Sequence, residues 1–237
     1  AIWQAYDARA WPTLVLVDPE GYIVGSDTGE GHYETLDKLI GQLISDYRSK
    51  NLINETPIPL SLEKYKLGHS PLSFPGKVLA DGASNRLFIA DSNHHRIIIT
   101  NLEGDVLDTV GNGEAGKNDG TFAEANFHHP QGMAIDGDHV YVADTENHLI
   151  RKLDLKAKTV KTIAGTGNQA GFMDTGGMGT FSPLNSPWDL VFLKGQLYIA
   201  MAGAHQVWVM DLGTTVFQPF AGSGKEGRID GPLDKAA

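Results

Sequence analysis

Three stretches of this chain repeat one another, and no other feature of the sequence narrows the possible folds as much. Leu87-Phe88-Ile89-Ala90 returns as Val140-Tyr141-Val142-Ala143 and again as Leu197-Tyr198-Ile199-Ala200, at spacings of 53 and 57 residues. The three segments begin at Pro75, Pro130 and Pro187. They end at Val110-Gly111, Ala164-Gly165 and Ala221-Gly222, with the glycines 54 and 57 residues apart. Independent landmarks therefore share one period. Within the middle unit four short apolar stretches follow each other, Met133 to Asp136, His139 to Ala143, Leu149 to Leu155 and Thr159 to Ala164. Four short strands per repeat predict a four-stranded antiparallel blade. A blade cannot bury both faces alone, so blades must stack around a common axis.

Residues 1–50 follow a different pattern. Thr13-Leu14-Val15-Leu16-Val17 is a continuous apolar run and predicts a strand buried on both faces. Asp18-Pro19-Glu20-Gly21 supplies a turn, and Tyr22-Ile23-Val24 a returning hairpin strand. Leu36, Leu39, Ile40, Leu43, Ile44 and Tyr47 recur at helical spacing, which predicts a helix starting between His32 and Thr35. Residues 51–73, with Pro57, Pro59 and Pro71, predict a linker in which Ile58 to Leu62 can donate one strand.

The repeats carry a recognisable signature. The middle one reads Ala143-Asp144-Thr145-Glu146-Asn147-His148-Leu149-Ile150 and the first Ala90-Asp91-Ser92-Asn93-His94-His95-Arg96-Ile97. This resembles the NHL repeat, whose Asn-His-Leu stands at 147–149. The third unit, Ala200-Met201-Ala202-Gly203-Ala204-His205-Gln206-Val207, lacks the Asp and the Asn and keeps the His. Upstream, Ala10-Trp11-Pro12-Thr13 before a buried strand is similar to the later part of a thioredoxin-like domain, with Pro12 at the cis-proline position. An aromatic residue before proline favours the cis form, which agrees with that placement. The order of these parts resembles the NHL-repeat-containing protein 2-like family.

The resemblance implies an α/β plus all-β architecture. Residues 1–50 would be the C-terminal part of a thioredoxin-like domain and 51–73 a linker. Residues 74–237 would be a partial NHL β-propeller with three four-stranded blades at about 74–111, 130–165 and 187–222. It implies redox cysteines upstream of Ala1, since the chain has none, and Trp11, Pro12 and Thr13 as the substrate-binding residues. The stretch Asp230 to Ala237 is similar to Asp119 to Asn126, which introduces a blade, so the parent protein is expected to continue. A part-propeller exposes a blade edge, and the chain alone is expected to self-associate or be unstable.

The function this implies belongs to the parent: a thiol–disulfide redox protein whose propeller binds a protein partner or disulfide substrate. The alternatives are a non-catalytic interaction scaffold and, third, a metal-dependent propeller lyase. Whether the parent is an enzyme stays open. No catalytic residue and no cofactor is assigned to this chain. His95, His148 and His205 occupy equivalent positions and are the only metal candidates. Against that stands a structural role for each within its own blade, and no metal is assigned.

Composition narrows the rest. A net charge of −10 with no basic run argues against nucleic acid, whose phosphates need clustered Lys and Arg. No apolar stretch is long enough to span a bilayer. A soluble, cytoplasmic protein is favoured. Gly111-Asn112-Gly113-Glu114-Ala115-Gly116 fits a dinucleotide fingerprint, as does Gly222 to Gly227. Such a cradle needs a helix directly after it, and the sequel here is polar and Gly-rich, so both segments read as turns between blades. Asn54-Glu55-Thr56 matches a glycosylation sequon by a pattern common by chance. Asp91 and Asp144 are expected to accept hydrogen bonds from turn amides two residues on. The loops Gly111 to His129 and Gly165 to Ser186 are long enough to be binding loops. Their Phe122, Phe127, Phe172, Met173, Met178 and Phe181 either reach outward or pack down over the blades.

Overall fold

A computed structural model describes residues 6, 12–29, 31–57, 70–171 and 175–237. The chain divides into two compact units, Ala1–Leu67 and Gly68–Ala237.

In the first unit β1 (Thr13–Val17) pairs antiparallel with β2 (Ile23–Thr28), followed by α1 (Tyr33–Ser49). The turn between the strands is held by its own aspartate. Asp18 Oδ1 accepts from the N–H of Glu20 at 3.0 Å and of Tyr22 at 2.8 Å, and Gly21 takes φ +92°. Tyr47 in the last turn of α1 donates its hydroxyl to Asp18 Oδ2 at 2.8 Å, which ties helix to hairpin. The helical stripe forms as its spacing predicts, yet Leu39, Ile40 and Ile44 stay exposed. The expected burial of β1 on both faces does not occur among the described residues. Its one described partner is β2, so Leu14 and Val17 each remain 40 % exposed. Ile58 to Leu62, the expected extra strand, lies outside the described residues.

Among the described residues the second unit holds three sheets. The first is β3 (Lys77–Asp81), β4 (Arg86–Asp91), β5 (Arg96–Thr100) and β6 (Val106–Val110) in chain order. In the second, β8 (Pro130–Asp136), β9 (His139–Asp144), β10 (Leu149–Asp154) and β11 (Thr159–Ala164) repeat this meander, and the two-residue β7 (Gly120–Thr121) adds to the edge of β11. The third is β13 (Pro187–Leu193), β14 (Gln196–Met201), β15 (Gln206–Asp211) and β16 (Val216–Ala221), with β12 (Gly177–Met178) on the edge of β16. The strands expected for the middle unit agree with β8 to β11 to within three residues. The preceding loop lending one short strand to the next sheet is a feature the four apolar stretches did not reveal, because two residues carry no periodicity.

Strand alternation explains the core. On β9, Val140 and Val142 face the first sheet and pack with Phe88, Ile97, Ile99, Phe127 and Leu153. Tyr141 and Ala143 point the opposite way and pack with Leu190, Leu197, Ile199 and Trp208 of the third sheet. The middle sheet is thus buried on both faces, which is why its second strand reads as an unbroken apolar run. The innermost strands β3, β8 and β13 lie side by side in sequence order. At Gly132 an added Cβ would overlap the Asp189 Cα and stand 2.8 Å from the Trp188 carbonyl oxygen, so β8 and β13 approach too closely for any side chain there.

Candidate partner-binding face

Each repeat contributes the same turn between its second and third strands. The 3-10 turns Ser92–His94, Thr145–Asn147 and Ala202–Ala204 end on His95, His148 and His205, all left-handed at φ 52°, 53° and 50°. The glycine ending each unit sits against that histidine's carbonyl oxygen. A Cβ on Gly165 would overlap the His148 oxygen, and on Gly222 it would stand 2.8 Å from that of His205. With φ of 92° and 100°, glycine is required on two counts. No helix follows Gly111 or Gly222, and both segments are turns leaving an outer strand.

These turns fasten the sheets. Inside one sheet, the aspartate ending the second strand reaches the backbone that leads into the first. Asp91 Oδ1 accepts from Ser73 N–H at 2.6 Å and Asp144 Oδ1 from His128 N–H at 2.7 Å. The expected bonds to turn amides two residues on are therefore replaced by bonds across the sheet. The lead-in backbone answers: Asn93 N–H donates to Ser73 O, and Glu146 N–H to His128 O. Met201 breaks the aspartate set, and in its sheet Asn185 substitutes from the other side, donating Nδ2 to Gly203 O at 3.1 Å while its own carbonyl accepts from Gly203 N–H.

Between sheets the residue after the aspartate and the left-handed histidine act together. Ser92 Oγ donates to Pro130 O at 2.6 Å, and His129 N–H donates to His95 Nδ1 at 3.3 Å. Thr145 Oγ1 donates to Pro187 O at 2.7 Å, and Ser186 N–H donates to His148 Nδ1 at 3.1 Å. His95 and His148 thus serve separate junctions, and Ala202 beside His205 has no hydroxyl for the first of these bonds. Around His95 the rings of His129 and His128 lie at 4.8 and 5.4 Å. Burial, then the neighbouring His129 and His128, holds the His95 imidazole below the ordinary histidine value, with Glu114 opposing. Burial does the same to His148 against Glu146. Among the described residues no group of three His, Asp or Glu side chains is arranged to hold a metal ion.

A second buried network makes the first long loop rigid. Arg151 is fully buried and donates to Asp144 Oδ2 at 2.8 Å, Asn126 O at 2.7 Å, Asn118 O at 2.8 Å and Asp119 Oδ1 at 3.0 Å. Its guanidinium lies 5.1 Å from the centre of the Phe127 ring. Asn147 Nδ2 adds a bond to Gly116 O at 2.7 Å. Burial pushes the Asp144 carboxyl up, and Arg151, His128 N–H and Asn147 oppose it. The guanidinium at 2.8 Å and two further N–H donors favour the ionised carboxylate. Arg151 escaped the sequence reading because on an alternating strand an arginine reads as solvent-facing.

The loop aromatics divide. Phe122 and Phe127 pack down into the core at 6 % and 0 % exposure, whereas Phe181 is 83 % and Met178 47 % exposed. Phe172 and Met173 lie outside the described residues. In the first unit Pro12 is half-buried and its carbonyl accepts from Gly29 N–H at 2.9 Å, while Thr13 pairs with Thr28 at the start of β1. Trp11 lies outside the described residues. No described helix is long and apolar enough to cross a membrane.

Comparison with known proteins places this geometry. The family model described as NHL repeat matches residues 127–153, from the buried Phe127 through the Asp144 turn to β10. The chain is similar to NHL repeat-containing protein 2 of Gallus gallus, with 43 % identity over 95 % of this chain and 34 % of that protein. It is also similar to Protein SUPPRESSOR OF QUENCHING 1, chloroplastic, of Arabidopsis thaliana, with 42 % identity over 97 % of this chain and 23 % of that protein. Among solved structures, a protein of unknown function from Bacteroides thetaiotaomicron covers 59 % of this chain, and 33 % of its own, at 22 % identity and a TM-score of 0.47. The chain spans 34 % and 23 % of the two curated relatives' lengths.

Proposed function

Starting from a chain that belongs to the NHL-repeat family of NHL repeat-containing protein 2, we propose that its second unit is the partner-binding platform of a larger thioredoxin-like thiol–disulfide protein. The observation that carries the platform reading is the contrast between anchored and projecting side chains in the long loops. In the first loop Phe122 and Phe127 are sunk in the core and Arg151 pins the backbone; in the second, held through Gly177 and Met178 to β16 and through Gly179 to Thr215 just before it, Phe181 stands 83 % exposed. A large apolar side chain exposed on a braced scaffold is the arrangement of an interface anchor. The three repeats would be blades of a propeller completed by further blades of the parent.

The redox half of the reading rests on the thioredoxin-like resemblance around Pro12. In it a thiolate attacks a substrate disulfide to give a mixed disulfide, releasing one substrate sulfur as a thiolate; a second cysteine thiolate then attacks the first cysteine's sulfur, expels the remaining substrate sulfur as a thiolate and leaves a disulfide in the parent. Both cysteines would come from the parent outside this chain. Differential thiol alkylation with peptide mass spectrometry on the full-length protein tests this. A paired-cysteine peptide upstream of Ala1 that passes from disulfide to dithiol on mild reduction supports it, and no such peptide leaves an interaction scaffold. For the platform, a photo-crosslinking residue at position 181 of the full-length protein is expected to give discrete adducts that the same residue at Lys156 does not. Equal labelling from both positions removes the platform reading.

A further inference from the structure

We propose that the junction between the first and second sheets is a pH-sensitive latch, closed while His95 is neutral and released when it is protonated, so that acid frees the backbone leading into β8. The proposal rests on the junction geometry and stands apart from the partner-binding reading.

The latch is one bond with a strict protonation requirement. His129 N–H donates to His95 Nδ1, so Nδ1 must carry a lone pair, and the neutral ring must hold its proton on Nε2. A proton on Nδ1 turns the acceptor into a donor facing another donor. The surroundings oppose a charge on His95. His129 and His128 come from the backbone before β8, His94 from the same turn as His95, and Glu114 from the loop after β6; of these four, only Glu114 favours a charge on His95. The His128 and His129 rings lie 5.4 and 4.8 Å from that of His95, so any positive charge they carry opposes one on His95.

The rest of the junction does not share this sensitivity. Ser92 Oγ still donates to Pro130 O, and Asp144 still accepts from His128 N–H. Release therefore loosens His129 and its neighbours without dissolving the sheet. The second junction supplies an internal comparison. His148 accepts from Ser186 N–H in the same way, but the charged group bearing on it is Glu146, and among the described residues no imidazole stack surrounds it. The sign follows: with the folded value of His95 below the ordinary one, the latch stabilises the fold fully above the ordinary histidine value, and that contribution is lost as pH falls from there through the lowered one.

Hydrogen exchange of the full chain, corrected for intrinsic rates and followed from about pH 7.5 to about pH 5.5, tests this. Peptides covering 127–133 are expected to lose protection about tenfold more than peptides covering 184–190 as pH drops. His95→Asn retains an acceptor oxygen near the position of Nδ1, tolerates the left-handed backbone and does not titrate, so it is expected to hold 127–133 protected throughout. Equal loss at both junctions, or an unchanged pH response in His95→Asn, overturns the latch. Should that variant fail to fold, an NMR titration of the wild-type chain decides: the His95 ring and the His129 amide are expected to shift together, and independent titration overturns it.

Discussion

Ser92 Oγ lies 2.6 Å from the carbonyl oxygen of Pro130, 38 residues further along the chain and at the head of the next sheet. The hydroxyl is buried and so is the proline, so this bond fastens two repeats where water does not reach. Thr145 makes the same bond to Pro187. Ser92→Ala and Thr145→Val are each expected to lower unfolding stability by about 1–3 kcal/mol, since each leaves a buried carbonyl without this partner. Urea denaturation of the full chain measures it. A change within the error of the midpoint for both variants would show that the junctions are held by apolar contact alone.

The innermost strands allow a sharper contrast. At Gly132 an added Cβ meets backbone of the neighbouring strand, the Asp189 Cα and the Trp188 carbonyl. At Gly76 it meets chiefly the amide end of the Gln131 side chain, which can rotate away, and at 2.7 Å the Ser92 hydroxyl, which is held by Pro130 O but is not backbone. Gly132→Ala is expected to destabilise by about 1–3 kcal/mol or more, because backbone must separate. Gly76→Ala is expected to lose less. Thermal melts of the two variants side by side check the order, and a larger loss at Gly76 reverses the packing argument.

The repeat was legible because it rests on patterns that survive in isolation. Alternating apolar residues mark strands, and the terminal glycines mark backbone that no other residue adopts easily. What stayed illegible depends on a partner in space. Asp144 reads as a turn residue by its neighbours, yet its bonds reach back to His128 and forward to Arg151. Thr13 to Val17 reads as a doubly covered strand, yet its exposure is set by which elements lie beside it. For the candidate site, the equivalence of His95, His148 and His205 was visible in the repeat. The cluster of His95 with His128 and His129 was not, because it joins the turn of one repeat to the lead-in of the next.

The first unit yields a prediction about acid. Burial pushes the Asp18 carboxyl up, but the Tyr22 N–H, the Tyr47 hydroxyl and the Glu20 N–H outweigh it and hold its pKa below the ordinary carboxylate value. Asp18 therefore stabilises the hairpin above that ordinary value, and the contribution disappears as pH falls through the lowered one. Reciprocally, the Tyr47 hydroxyl is driven well above its usual range by Asp18. Tyr47→Phe removes one donor and is expected to move the Asp18 titration upward while leaving the hairpin bonds of Glu20 and Tyr22 in place. Carboxyl NMR titration of both proteins reads this directly. An unmoved Asp18 would mean that the backbone donors alone set its acidity.

Asp144 and Arg151 supply the largest expected effect. Both side chains are fully buried and 2.8 Å apart. Removing one charge leaves the other without its counter-charge in the interior, so Asp144→Ala or Arg151→Leu is expected to destabilise by about 3–5 kcal/mol. The two losses are not independent. In Asp144→Ala with Arg151→Leu no buried charge remains, although His128 N–H, Asn126 O and Asn118 O still lose partners. The double variant is therefore expected to lose about 0.5–3 kcal/mol less than the sum of the single losses, the coupling usual for residues in direct contact. Arg151 also holds the loop backbone at Asn118 and Asn126, so Arg151→Leu, unlike Ser92→Ala, is expected to raise hydrogen exchange throughout residues 114–126. Strict additivity in denaturation, or a loop as protected as in the wild type, would show that Asp144 and Arg151 act as separate caps and that the loop is braced by Phe122 and Phe127 instead.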